Sequence, residues 1–265
     1  ERILAAADRD LESDGYLRHA VVSAMAGGFD AAALGRAATD SRASVRLAAC
    51  LAMRRRHDAR IGKFLGDQPR IAAEAVRAIH DLPLPDLFEP LAARLAKPAV
   101  PGSDQSLAEL QAAADITCRM VSAAERMGTP TAAALLAAAA TNEHLPAAAR
   151  VMALEALGDW AAPPDRCRIL GRWQPHASGR DPALAWKALE RVLPEVLAAR
   201  DGSIRRAALD AVAELAAGGD ITPLLAGISE DRNWEGSSRA AALVALADKD
   251  RAVATGVAER LLQDA

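Results

Sequence analysis

Alanines and larger apolar residues recur at fixed positions in a repeated octad, which reads Arg-x-Ala-x-x-x-Ala followed by Met, Leu or Val. Repetition of this kind is typical of stacked helical hairpins, because one hairpin cannot bury its apolar face alone. The pattern therefore predicts an all-α fold, a HEAT- or armadillo-like α-solenoid of stacked helical hairpins. Its copies begin at Arg18, Arg46, Arg205 and Arg239, with a looser copy at Arg150.

The first three copies, counting a variant that begins at Ala72, start 28 and 26 residues apart. The unit of HEAT and armadillo repeats is roughly 40 residues long, so these hairpins are predicted to be compact. Turn signals precede two copies, at Asp14-Gly15 and Asp201-Gly202. Each Asp is expected to cap the following helix by accepting backbone amide hydrogens.

Two proline-containing segments interrupt the pattern, one near 81–106 and one near 158–182. Between them, 104–128 is predicted to be a long helix, although its match to the octad is poor. We expect a single solenoid over 1–265, with repeat blocks on both sides of 158–182. Because the chain starts at Glu1 inside an apparent helix, we also expect it to be a fragment of a larger protein.

Composition supports helices and argues against two classes of partner. Hydrophobic residues make up 51% of the chain and aromatic residues 3%, so a core of Ala, Leu, Val and Ile is expected, and strand-like alternation is almost absent. The formal net charge of −3 gives no overall basic excess for nucleic acid or an anionic membrane. No apolar run reaches the about 18 residues of a membrane-spanning helix. The cysteines are far apart and leave the compartment open.

Residues suited to catalysis and metal binding lack the spacing that such chemistry needs. The histidines do not pair at helical spacing with a second ligand, as a metal site on one helix would require. The Gly-x-Ser-x-Gly, phosphate-loop and Gly-x-Gly-x-x-Gly motifs are absent from the sequence. The sequence therefore predicts no catalytic residue, no metal site and no cofactor in this chain.

The octad arginines are interpreted as structural repeat positions. An arginine at the start of a second helix can reach the Asp or the carbonyl oxygens of the preceding turn and so link the hairpin. The locally basic run Arg54-Arg55-Arg56-His57 is also given a structural interpretation, because a helix C-terminus favours cations through its dipole. The positions interpreted in this way are Arg18, Arg46, Arg150, Arg205 and Arg239.

Tryptophans in or near loops leave two interpretations open. Trp160 and Trp173 can pack the irregular segment onto the array, which is the favoured interpretation. Exposed tryptophan is also enriched at protein interfaces. The interface alternative gives a set of candidate partner-contact residues, which are Asp159, Trp160, Arg172, Trp173 and Trp234.

The middle of the chain resembles the helical-repeat region of large PVC-type haem-binding proteins. The resemblance rests on the stretch from Ile71 to Pro85, on the helix exit at Met127-Gly128, and on 153–175 with its Asp-Trp-Ala-x-Pro element. It covers about Arg46 to Pro182, with generic repeats outside.

This resemblance implies a place within a longer chain. The family consists of multidomain bacterial proteins that look like membrane-associated or periplasmic dehydrogenases. They have a β-propeller first, HEAT-like repeats next, and a cytochrome c module with a Cys-x-x-Cys-His motif last. Neither the haem motif nor the propeller has a counterpart in this sequence. The resemblance thus implies haem c elsewhere in the parent protein, a periplasmic or exported location, and a role in spacing and docking.

We therefore expect a non-catalytic helical-repeat scaffold that contacts neighbouring domains or another protein. One alternative is a HEAT-like DNA glycosylase or nucleic-acid-binding solenoid, with Trp160 and Asp159, or Trp234 and Asp231, at its centre. Net acidity argues against it, since phosphate neutralisation supplies most non-specific affinity. A second alternative is a bilin-lyase-like or regulatory HEAT scaffold that binds a helix of another protein in its groove.

Overall fold

The computed structural model describes residues 3, 14–96, 106–177, 179–215, 221–234 and 236–263. Regular structure within these ranges is helical, and they contain no β-strand, only an isolated bridge between Arg166 and Trp173. The predicted all-α class is confirmed. None of the described helices is both long enough and apolar enough to cross a membrane.

The chain divides into two compact units, Glu1–Arg94 and Leu95–Ala265. The division falls inside the first of the two predicted irregular segments, of which 97–105 lies outside the described residues. The expectation of one continuous solenoid over 1–265 stays a prediction, and each unit is described by itself.

In the first unit, three octad helices form a row, and short helices pack beside them. Helix α3 contacts both α1 and α4, while α2 contacts α3, and the first 3₁₀ helix contacts α3 and α4. The octads that begin at Arg18, Arg46 and Ala72 lie in α1, α3 and α4. The elements are α1 (Gly15–Gly28), α2 (Ala31–Ala37), α3 (Ala43–Arg55), a 3₁₀ helix (Ala59–Gly66), α4 (Pro69–Asp81), a 3₁₀ turn (Pro85–Leu87) and α5 (Phe88–Ala92). A further 3₁₀ turn, Ala93–Ala96, spans the division between the units.

In the second unit, alternate helices pack on one another. Helix α8 contacts α6 and α10, and α10 contacts α12, while α7 contacts α9 and α11 contacts α13. The octads at Arg150, Arg205 and Arg239 lie in α8, α10 and α12. The elements are α6 (Leu107–Met127), α7 (Pro130–Thr141), α8 (Ala147–Gly158), a 3₁₀ turn (Asp159–Ala161), α9 (Pro182–Leu197), α10 (Gly202–Leu215), α11 (Thr222–Glu230), α12 (Gly236–Lys249) and α13 (Arg251–Gln263).

Side-chain caps determine where several helices begin. Asp14 accepts a hydrogen bond from the Leu17 amide at 2.9 Å, and Asp201 accepts one from the Ser203 amide at 2.8 Å. The capping predicted for both Asp-Gly turns is confirmed. The long helix predicted over 104–128 is observed as α6. It starts with a capping box between Ser106 and Glu109 and ends at Gly128, whose φ of 60° suits a residue without a Cβ.

The irregular segment near 158–182 does not interrupt the stacking of the octad helices. Helices α8 and α10 pack directly on each other, although the 3₁₀ turn, a loop and α9 lie between them in sequence. A Cβ at Gly158 would come within 3.0 Å of Ala211 Cα, so a glycine permits this close approach. The chain of the irregular segment therefore leaves α8 and returns to α10 without separating these two helices.

Candidate functional site

Two octad arginines bind the loop that follows the preceding helix, each through its Nη1 atom. Arg46 Nη1 donates to the carbonyl oxygens of Asp40 and Ser41 at 3.0 and 2.9 Å. Arg205 Nη1 donates to the carbonyl oxygens of Ala199 and of Arg200, the latter at 3.0 Å. In both cases the acceptors lie five and six residues before the arginine. These oxygens lie in the loops after α2, which ends at Ala37, and after α9, which ends at Leu197. A hydrogen bond from a charged donor is stronger than one between neutral groups.

Two other octad arginines reach back ten residues, with Nε as the donor. Arg150 Nε donates to the Ala140 carbonyl oxygen at 2.9 Å, and Arg239 Nε donates to the Ser229 carbonyl oxygen at 2.9 Å. Ala140 and Ser229 each lie in the last turn of their helix. Each of these four arginines donates to at least one backbone carbonyl oxygen that precedes its own helix. Arg18 lies in α1 with its side chain half-buried.

Two of these arginines also bond to a side chain further along the chain, in the next octad helix or just before it. Arg46 Nε and Nη2 donate to Asp67 Oδ2 and Oδ1, both at 2.8 Å. This pairing raises the pKa of Arg46 and lowers the pKa of Asp67. Arg205 Nε donates to Ser238 Oγ, 33 residues ahead, at 3.3 Å. Each of the two guanidinium groups thus contacts both neighbours of its own helix.

The predicted contact residues do not form one surface. Trp160 is fully buried, with 0% of its surface exposed, so its assignment as a partner-contact residue is wrong. Its indole instead fills the core under the irregular segment, because the 3₁₀ turn Asp159–Ala161 directs it inward. For the same reason Trp160 has no face on which a flipped base could stack. Trp234 lies in a separate turn between α11 and α12, where its side chain is half-buried.

A buried carboxylate, missed by sequence reasoning, anchors the irregular segment to α6. Glu125 is 2% exposed, and Arg168 Nε donates to its Oε1 at 3.1 Å. Burial raises the pKa of Glu125, and the charge of Arg168 opposes that rise. Arg168 also donates to Asp159. Asp159 is therefore engaged in an ion pair within the chain.

An arginine stacked on Trp160 completes this polar cluster. The Arg180 guanidinium lies 5.2 Å from the centroid of the Trp160 ring, and Arg180 Nη2 lies 2.9 Å from His176 Nδ1. Burial, together with the charges of Arg180, Arg126 and Arg168, lowers the pKa of His176 to about 4. Arg180 Nη1 and Trp160 Nε1 are buried without a hydrogen-bond partner in the described part of the chain.

The loop that carries Trp173 is held at several points. Arg126 Nη2 donates to the Gln174 side chain at 2.7 Å and to its carbonyl oxygen at 3.1 Å. The Gln174 amide donates to the Asp165 carbonyl oxygen at 2.8 Å, and the Cys167 amide donates to the Arg172 carbonyl oxygen at 2.9 Å. Trp173 itself is 63% exposed. A large apolar side chain therefore projects from a loop whose backbone is fixed.

No group of three or more His, Cys, Asp and Glu side chains within the described ranges is arranged to hold a metal ion.

The chain matches no known protein family, no curated protein and no solved structure. The resemblance to PVC-type haem-binding proteins therefore stays a prediction.

Proposed function

We propose that this protein is a HEAT-like α-solenoid scaffold that binds another protein, or a neighbouring domain of a larger haem-binding redox protein. Two features support the stacked arrangement. Alternate helices of the second unit pack on one another. Arg46 and Arg205 each bond both to the loop before their own helix and to a side chain further along the chain, Asp67 and Ser238. Repeat arrays are built from contacts between neighbouring units.

The observation that carries the proposal is the exposure of Trp173 on a fixed loop. Leaving an indole in water forgoes roughly 25 cal/mol for each Å² of apolar surface that it could bury. Tryptophan is among the residues most enriched at the energetic centres of interfaces. Arg126 already orders this loop through its hydrogen bonds to Gln174. Binding of a partner would therefore cost little conformational entropy of the loop.

The test places a benzophenone amino acid at position 173 for photo-crosslinking in cells that naturally make the protein. The matched control carries the same group at Val244, which is also 63% exposed. We expect a protein to be cross-linked from position 173 and absent from the control at position 244. After purification of that protein, Trp173→Ala should weaken its binding about 30-fold, the effect of about 2 kcal/mol at an interface centre.

The proposal fails if position 173 labels no protein beyond those labelled from position 244. It also fails if Trp173→Ala leaves the affinity for the captured protein unchanged. When the captured segment is a neighbouring module of the same reading frame, the interdomain form of the proposal is the correct one.

A further inference from the structure

A cationic groove in the first unit lies between helices α1 and α3. Its volume is about 510 Å³. Arg18 of α1 and Arg54 and Arg55 of α3 line it, together with His19 and His57. None of the described residues that line this groove is acidic. The run of basic residues at the end of α3 therefore contributes to a concave surface.

Helical spacing places these residues together. Residues 15, 18, 19 and 22 follow one face of α1, and residues 51, 54 and 55 follow one face of α3. The α1 face starts at Gly15, where a Cβ would lie 3.9 Å from Arg18 Nη2. Gly15 and Arg18 therefore lie next to each other on that face.

Neighbouring helices hold the guanidinium groups in position. Arg55 donates to Ser23 Oγ, and its Nη2 lies 3.1 Å from His19 Nδ1. Neither partner is a carboxylate, so these contacts orient Arg55 without neutralising its charge. Arg54 Nη1 lies 3.1 Å from Glu74, but the same carboxylate is shared with Arg77 at 2.9 Å. The groove therefore keeps positive charge on ordered side chains.

The groove also has an apolar component. Val22, Leu51 and Leu82 line it, and the leucines are half-buried. Tyr16, which lines an adjoining cavity together with Asp14, Gly15 and His19, is 92% exposed. A mixed lining of this kind suits a peptide that carries both carboxylates and apolar side chains. A phosphate backbone would use the cations but would leave the leucines in contact with water.

We infer that this groove binds an acidic, leucine-containing segment of a partner protein. The carboxylates of that segment face Arg54 and Arg55, and an apolar side chain packs on Leu51 and Leu82. The inference rests on the proposed scaffold function, because both require that the binding partner is a protein. It concerns a surface separate from the Trp173 loop, and it assigns the chemistry of the segment that binds there.

Fluorescence anisotropy with synthetic peptides tests this assignment on the full chain. The probe is a labelled helical peptide of about 12 residues, with Glu on one face and Leu on the other. We expect the Glu peptide to bind, a Lys version not to bind, and salt of about 0.5 M to abolish binding, because screening weakens exposed ion pairs. Arg55→Gln should weaken binding about fivefold, whereas Arg55→Lys should retain most of it.

Arg206→Gln is the matched control, since Arg206 is an exposed arginine in the second unit, and it should leave the affinity unchanged. Equal binding of the Glu and Lys peptides, or equal loss in Arg55→Lys and Arg55→Gln, would overturn the inference. Tighter binding of a labelled DNA duplex than of the Glu peptide would assign the groove to nucleic acid instead. Failure here with successful cross-linking at Trp173 would leave the scaffold function standing without this groove.

Discussion

Arg46 in α3 and Asp67 in the turn before α4 form a bidentate ion pair, with Nε–Oδ2 and Nη2–Oδ1 distances of 2.8 Å each. The arginine and aspartate side chains are 17% and 13% exposed. The same guanidinium holds two carbonyl oxygens after α2. One side chain thus joins the loop after α2, its own helix and the turn before α4.

Replacement of Arg46 should therefore be costly. Arg46→Met keeps much of the apolar stem but leaves Asp67 and two carbonyl oxygens without their donor. We expect the free energy of unfolding to fall by about 2–3 kcal/mol in urea denaturation. The matched control is Arg206→Met, which removes an ion pair whose partners are each 61% exposed. That control should change stability by less than about 0.5 kcal/mol, and an equal loss in both variants would contradict the role given to Arg46.

The same pair predicts a pH dependence. Hydrogen bonds from Arg46 lower the pKa of Asp67, so the folded state favours the ionised carboxylate. The stability that this provides is fully present above the unfolded pKa of about 3.9. It is lost as pH falls through the lower folded pKa. The difference in unfolding free energy between wild type and Asp67→Asn should thus be constant near neutral pH and shrink in acid. A difference that grows in acid would contradict the assignment.

The octad helices can be predicted from the sequence because their signals are local. Each octad places alanines and an arginine within eight residues, and each lies in a helix of the structure. The pairing of Glu125 with Arg168 spans 43 positions and depends on the path of an irregular loop that has no periodicity. Likewise, Trp160 and Trp173 occur in similar proline-containing sequence. Only the fold distinguishes the buried one from the exposed one.

Two residues with positive φ should respond to substitution in opposite ways. His57 has a φ of 52° at the end of α3, where the Asp58 amide donates to the Met53 carbonyl oxygen at 3.0 Å. Glycine adopts this conformation without a Cβ penalty. We expect His57→Gly to raise the unfolding free energy by up to about 1 kcal/mol.

Gly128→Ala is the opposing variant. Its φ is 60°, and an added Cβ would lie 2.8 Å from Arg180 Nε. We expect a loss of at least about 1 kcal/mol, measured by the same denaturation. If His57→Gly destabilises as much as Gly128→Ala, the left-handed backbone at His57 is not a source of strain.

The two tryptophans of the irregular segment give a matched test of burial. Trp160 is 0% exposed and Trp173 is 63% exposed. Trp160→Ala should lower the unfolding free energy by about 3–5 kcal/mol, because it leaves a large cavity under the cluster of Arg168 and Arg180. Trp173→Ala should change it by less than about 0.5 kcal/mol. A large loss in Trp173→Ala would mean that its indole serves the fold, and would remove the support for a partner at that position.

Removal of the last hairpin tests the stacked arrangement itself. Deletion of 236–263 takes away α12 and α13, which pack on α10 and α11. In a repeat array, stability is close to a sum over units and their interfaces. The shortened chain should therefore lose helical circular dichroism in proportion to the residues removed and keep a cooperative thermal transition. Deletion of the interior pair α7 and α8 is the control, and it should abolish that transition because α6, α9 and α10 lose their contacts with these helices. If the terminal deletion also unfolds the chain, the helices depend on one common core and the solenoid proposal is wrong.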